Sequence, residues 1–175
     1  AVDQAIYGLP TYRVDEFTAN GVGGGYFAQG KKEFMVVSMG TGTSFVGVKD
    51  GIPTHLGGIG IGGGTIIGLS KLMLNTSDID KIQELALGGQ VGHIDLRVGD
   101  ISEKPLPGLN LEVTASNFGK ASSRATCEDK AAGIVHMVIE SICQTAALIS
   151  QGTNMKDFIL IGALTNFPEC EAVCG

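Results

Sequence analysis

Short apolar runs alternate with longer stretches in which apolar residues return on one side of a helix, and their order sets the expected fold. Phe34 to Ser38 is an apolar run with strand character, ended by Met39-Gly40-Thr41-Gly42. Thr43 to Lys49 predicts a second strand, closed by the turn signal Lys49-Asp50-Gly51. Thr54 to Leu56 predicts a short third strand. The glycine-rich stretch Gly57 to Gly64 then runs directly into Thr65 to Leu74, which reads as a buried helix. Thr76-Ser77-Asp78 caps another helix, about Ile79 to Leu87, stopped by Gly88 and Gly89. Residues 89 to 120 read as irregular, with Pro105 and Pro107 excluding regular structure there. From Glu128 to Ile149, Ile134, Met137, Val138, Ile142, Ala146 and Ile149 fall on one helical face. Gly152 stops that helix, and Phe158 to Ile161 returns as a strand ending at Gly162. This order predicts an α/β layer in which antiparallel strands come first and a helix-covered strand follows.

Composition narrows the classes. The chain has 175 residues, enough for one domain or one and part of another. Its 27 glycines are roughly twice the usual share of ~7%. With 5 prolines and no Gly-X-Y period, that excess belongs in ordered turns of a chain able to bury a core. A net charge of −6 without a basic run argues against nucleic acid as a partner. No run approaches the ~20 apolar residues of a membrane span. The N-terminal stretch lacks a basic region followed by an apolar core, so no signal peptide is expected. Cys127, Cys143, Cys170 and Cys174 lack metal-ligand spacing and read as free thiols in a reducing cytoplasm, with Cys143 a small core residue.

Several motifs carry candidate chemistry. Gly58-x-Gly60-x-x-Gly63 matches the dinucleotide fingerprint formally, but no buried strand of a βαβ unit precedes it. Gly25 to Lys31 nearly matches a P-loop, but Lys32 stands where a Ser or Thr is required. Gly40-Thr41-Gly42-Thr43-Ser44 joins two strands. Its glycines allow N–H groups to converge on an anion, with three hydroxyls beside them; the alternative is an ordinary hairpin turn. Gly62-Gly63-Gly64-Thr65 opens a helix, whose unpaired N–H groups and positive dipole end suit a phosphate; the alternative is close helix–sheet packing. Together the two turns favour nucleotide phosphate binding by backbone dipoles. Glu16 lies in an extended-looking segment, Tyr12 to Phe17, and could act as a general base toward a hydroxyl; the alternative is a solvated carboxylate. His136 and Glu140, four apart on the long helix, read as a side-chain pair more readily than as metal ligands.

In this order the segments resemble the type II pantothenate kinases of the acetate and sugar kinase, Hsp70 and actin superfamily. The resemblance runs from Leu9 to Phe167. It is carried by Val14 to Phe17 with the glycines to Gly25, Ser38 to Ser44, Leu56 to Thr65 with Gly68-Leu69, Asp95 to Asp100, Thr114 to Gly119 and Phe158 to Gly162. It implies an actin-like ATPase (ribonuclease H-like) lobe, a mixed sheet flanked by helices, incomplete here. Residues 1–32 would be the tail of a first lobe carrying the general base, and residues 33–175 a second lobe lacking its closing segments.

The activity implied is transfer of the γ-phosphate of ATP, with Mg2+, to pantothenate, giving 4'-phosphopantothenate in the first step toward coenzyme A. Glu16 would be the base, and Gly40, Thr41, Gly42 and Thr43 a phosphate loop, with Thr41 and Ser44 also near the acceptor. Gly62, Gly63, Gly64 and Thr65 would lie against the nucleotide and Gly162 in an adenosine-side turn. No metal ligand is assigned. The resemblance further implies a cytoplasmic homodimer, with the helix around 128 to 150 in its interface, and neither nucleic acid nor membrane as partner. Two departures stand out. His55 occupies the substrate-binding position where the family usually has an always-charged Arg, and the family's opening Asp-x-Gly-Gly-Thr loop does not occur. The alternatives are a catalytically silent paralogue that binds nucleotide or a pantothenate-like ligand, and a kinase for another small hydroxyl compound.

Overall fold

A computed structural model describes residues 5–102, 104 and 110–174, so Pro105 and Pro107 lie outside the described residues. A two-stranded pair, β1 (Ala5–Ile6) and β2 (Leu9–Pro10), precedes helix α1 (Glu16–Phe27). Strands β3 (Glu33–Met39), β4 (Thr43–Lys49) and β5 (Ile52–Ile59) follow, then helices α2 (Gly63–Leu74) and α3 (Ile79–Gly88). The region expected to be irregular holds the small pair β6 (Leu96–Arg97) and β7 (Thr114–Ser116) with a short helix, α4 (Val98–Ile101). Helix α5 (Cys127–Thr153), strand β8 (Phe158–Ile161) and helix α6 (Pro168–Cys174) complete the order.

The main sheet runs β5-β4-β3-β8, antiparallel except that β8 lies parallel to β3, with Met35 opposite Phe158 and Ser38 opposite Ile161. It is therefore the mixed sheet expected. Alternation along β3 and β4 sends Met35, Val37, Met39 and Phe45 to one face, where they pack with Ile134, Val138, Ile139 and Ile142 of α5. Phe34, Val36, Val46 and Val48 point to the other face and pack with Ala28 just beyond α1. Both faces are covered, which is why β3 reads as a continuous apolar run.

Helix α1 differs from expectation. Tyr12 to Phe17 reads as extended in the sequence, but Asp15 caps the helix by accepting from the Thr18 N–H at 2.9 Å, so Glu16 becomes its first residue. Hydrogen bonds from Thr18 hold the Asp15 carboxyl below the usual range. The glycines lie inside the helix. A Cβ on Gly21 would stand 2.4 Å from Pro53 Cβ, and one on Gly24 would stand 2.4 Å from Val36 Cγ2. Their absent side chains let α1 lie directly on the sheet.

Two further expectations are corrected. Cys143 is disulfide-bonded to Cys174, 31 residues later, because α6 folds back onto α5; spacing along one segment carries no signal for such a pair. Cys127 and Cys170 are free, and burial pushes the Cys170 thiol up. In addition, α5 does reach the length and apolarity of a membrane-crossing helix, with a mean hydropathy of 1.5. Its buried residues Ile134, Val135, Val138, Ile139 and Ile142 form the main core.

The start of α5 clasps the loop after α3. Thr126 and Asp129 form a reciprocal cap, and Asp129 Oδ1 also accepts from the Gln90 N–H at 2.9 Å. That hydrogen bond from Gln90 holds the Asp129 carboxyl below the usual range, aided by Thr126 and by His93 Nδ1 at 3.3 Å. The folded-state pKa lies below the unfolded value of ~3.9, so this stabilisation is present at neutral pH and is lost as pH falls through the folded value. Asp129→Asn is expected to lower the urea midpoint at pH 7 and to flatten its decline below pH ~4. An acid slope identical to that of the unsubstituted chain would refute the assignment.

Candidate active site

The turn between β3 and β4 is Gly40, Thr41 and Gly42, with Met39 opposite Thr43 at its base. The Gly40 carbonyl accepts from the Gly63 N–H at 2.8 Å and the Thr41 carbonyl from the Gly64 N–H at 2.9 Å, so the N-terminus of α2 grips the back of the turn. The peptide bonds of the described residues are trans, which sets each N–H opposite the preceding carbonyl. The N–H groups of Thr41 and Gly42 therefore point away from α2. Among the described residues no protein group accepts from them.

The same contact settles the N–H groups expected to face a phosphate. Gly63 and Gly64 donate to the turn, Thr65 and Ile66 donate to the Gly62 carbonyl, and Gly62 donates to Thr65 Oγ1 at 3.1 Å. Gly62 itself is buried, and a Cβ there would meet the Thr41 carbonyl oxygen at 2.7 Å, the Gly40 carbonyl oxygen at 2.8 Å and the Gly42 carbonyl carbon at 2.8 Å. Two of the candidate hydroxyls are also engaged. Thr43 donates to the Ile61 carbonyl at 2.8 Å and Thr65 to the Gly60 carbonyl at 3.2 Å.

In front of the turn, on the α1 face of the sheet, lies an open cleft of about 490 Å³. Ser38 and Ser44 contribute small side chains and Gly58 none, aligned because Ser44 stands opposite Ser38 on one side and Gly58 on the other. The first turn of α1 brings Glu16 and Phe17, and β5 brings His55. The rings of Phe17 and His55 stack with centroids 4.0 Å apart and planes 24° from parallel. Ser44 Oγ is buried without a hydrogen-bond partner among the described residues. Among the described residues Glu16 is the one carboxylate in the lining, and no Lys or Arg lines it.

Of the site residues expected from sequence, Glu16, Gly40, Thr41, Gly42, Thr43, Ser44 and His55 meet in this cleft. Gly62 to Thr65 sit behind the turn. Gly162 follows β8 with φ +106°, and a Cβ there would lie 2.3 Å from the Met39 carbonyl oxygen, so it borders the same end of the sheet outside the cleft lining. Phe17, Ser38, Gly58 and Ile59 also line the cleft and were not singled out as site residues. Phe17 stands beside Glu16 in sequence, whereas Ser38 and Gly58 are placed by register opposite Ser44 and Ile59 by register opposite Thr43.

His136 and Glu140 lie elsewhere, as the side-chain pair expected. His136 sits between Glu140 at 3.7 Å and Glu169 of α6 at 3.8 Å, and burial pushes the Glu169 carboxyl up. No group of three or more potential metal-ligating side chains occurs among the described residues.

The sequence profile of the Fumble family matches residues 24–169. A type II pantothenate kinase from Bacillus anthracis is 34% identical over 86% of this chain and 57% of its own length. One from Bacillus cereus is 33% identical over the same shares, and one from Staphylococcus epidermidis 32% identical over 77% of this chain and 52% of its own. The chain thus spans little more than half the length of the curated relatives it matches. With most of its residues inside the profile, and its α/β fold compatible with a kinase lobe, the chain belongs to the Fumble family, that of the type II pantothenate kinases.

Proposed function

We propose that this chain carries the phosphoryl-transfer face of an ATP-dependent pantothenate kinase. The observation that supports this most is the placing of Glu16 and the outward N–H groups of Thr41 and Gly42 around one cleft. In this reading residues 1–32 are the tail of one lobe and residues 33–175 part of a second, actin-like (ribonuclease H-like) lobe. The Glu16 carboxylate takes the proton of the primary hydroxyl of pantothenate. The hydroxyl oxygen bonds to the γ-phosphorus of ATP, the bond to the bridging oxygen breaks, and ADP leaves. The amides of Thr41 and Gly42 donate to the transferring phosphoryl oxygens, while Thr41 Oγ1 and the unpartnered Ser44 Oγ serve the acceptor. Gly40 and Thr43 shape the turn, and Gly62 to Thr65 act from behind by holding it. Gly162 borders the nucleotide's adenosine side, and His55 contacts substrate.

Among the described residues the implied Mg2+ finds no protein cage, since Glu16 is the single carboxylate they bring to the lining. A cytoplasmic homodimer, with the exposed side of α5 near Leu148 in its interface, belongs to the same reading. A second reading, a chain that binds nucleotide or a pantothenate-like ligand without turnover, draws support from the lack of Lys and Arg in the lining among the described residues.

The deciding experiment uses the full-length protein, with ATP consumption and phosphorylated product measured with Mg2+, with and without pantothenate. Pantothenate-dependent product is the expected result. Nucleotide binding without such product would replace the first reading by the second, and no nucleotide binding would overturn both. The 175-residue chain alone is expected to show no turnover above background.

A further inference from the structure

Strand β5 carries one extra residue, and that residue decides what faces the cleft. Directly opposed residues of antiparallel strands share a face. Val46 and Val48 point toward α1, so their partners His55 and Pro53 do too. Beyond the irregularity at Phe45 and Val46, the pairing resumes with Gly57 opposite Phe45 and Gly58 opposite Ser44. Leu56 is left over, and it packs into the main core on the other side of the sheet. An uninterrupted ladder counted back from Gly58 would put Leu56 opposite Val46 and turn His55 away from the cleft. The bulge thus exchanges an apolar side chain for an imidazole at the cleft wall, and α1 meets that imidazole with the face of Phe17.

The cleft's donors to an anion are otherwise neutral: the outward amides of the turn and the hydroxyls of Ser38, Thr41 and Ser44. An imidazole changes charge between pH 5 and 8, and the face of an aromatic ring attracts its protonated form. The other titratable group lining the cleft is Glu16, on α1; Phe17 from α1 and Val46 from β4 are uncharged. The Glu16 carboxylate repels an anion and attracts an imidazolium, so protonating His55 supplies the cationic donor that the lining otherwise lacks.

We propose that Phe17 and His55 form a proton-dependent anion-binding element of this cleft, with His55 donating to a phosphate-like group and Phe17 the positioning residue that holds its ring. The inference rests on the cleft being the phosphate site of the proposed kinase. It adds a sign, because a phosphate-like anion binds more tightly as pH falls.

Sulfate suits the test, since its charge does not change across the range. Its affinity for the chain is measured by calorimetry at pH 6 and pH 8, together with the NMR titration of the His55 ring protons. About tenfold tighter binding at pH 6 is expected for the unsubstituted chain. His55→Gln, a non-titrating donor, should remove this pH dependence, while Glu16→Gln should retain most of it. Phe17→Leu should weaken binding at pH 6 at least about threefold and remove the ring-current displacement of the His55 resonances. Phe17→Tyr, which keeps the ring, should preserve both and guards against a fold defect in the leucine variant. Equal affinity at pH 6 and pH 8 in the unsubstituted chain would overturn the proposal. So would a Phe17→Leu titration superimposable on the original. Binding of neither sulfate nor an ATP analogue at any pH would overturn the phosphate reading of the cleft itself.

Discussion

Gly62→Ala is expected to destabilise the chain by about 2–4 kcal/mol and to abolish anion binding in the cleft. The new methyl group would overlap three backbone atoms of the Gly40–Gly42 turn at 2.7 to 2.8 Å. Backbone cannot rotate out of the way as a flexible side chain can, so α2 and the turn must separate. The hydrogen bonds of Gly63 and Gly64 to the Gly40 and Thr41 carbonyls would be lost with them. The steric overlap, the loss of these two hydrogen bonds and a displaced helix end account for the size of the effect. Backbone strain does not contribute, because φ at Gly62 is 179°, ordinary extended geometry. Gly68, inside the same helix with nothing within 4 Å of its added Cβ, is the control. Gly68→Ala should stabilise by roughly 0.5–1 kcal/mol through helix propensity. Urea midpoints for the two variants check both signs. A Gly62→Ala chain as stable as the original would show that the turn and α2 are not held together as described.

Glu16→Gln in the full-length protein is expected to lower kcat about 10²- to 10⁴-fold with little change in KM. The amide keeps the size and shape of the carboxylate but cannot take the hydroxyl proton. Glu16 is exposed at the first position of α1, and its side chain makes no hydrogen bond among the described residues, so the fold should survive the change. Undiminished turnover would remove Glu16 from the role of base while leaving the kinase reading intact. Unchanged kcat with a raised KM would make it a binding residue instead.

Much of this arrangement was legible in sequence because it depends on local signals. The β3–β4 hairpin, the helix after Gly62 and the apolar face of α5 each follow from a run, a cap or a period that a short window contains. The cleft was legible through the hydroxyls and glycines of one turn together with Glu16. Pairing was not legible. The bulge that turns His55 to the cleft is a property of two strands, and nothing in Thr54 to Leu56 alone records it. The docking of α2 onto the turn had the same character. Free amides at a helix start and amides consumed by a neighbouring loop leave the same glycines in the sequence, and only the position of the Gly40 and Thr41 carbonyls separates them. Tertiary contact likewise joined Cys143 to Cys174 through the return of α6.

The grip of α2 on the Gly40–Gly42 turn also limits how this chain can change by mutation. The atoms that exclude a side chain at position 62 are carbonyl groups, which every amino acid carries. No exchange of side chains at positions 40 to 42 can make room for a larger residue. A suppressor screen against a Gly62 substitution would therefore recover reversion to glycine, or changes of loop length, and never a compensating partner. The two turns are tied together at a level where selection has no second residue to adjust.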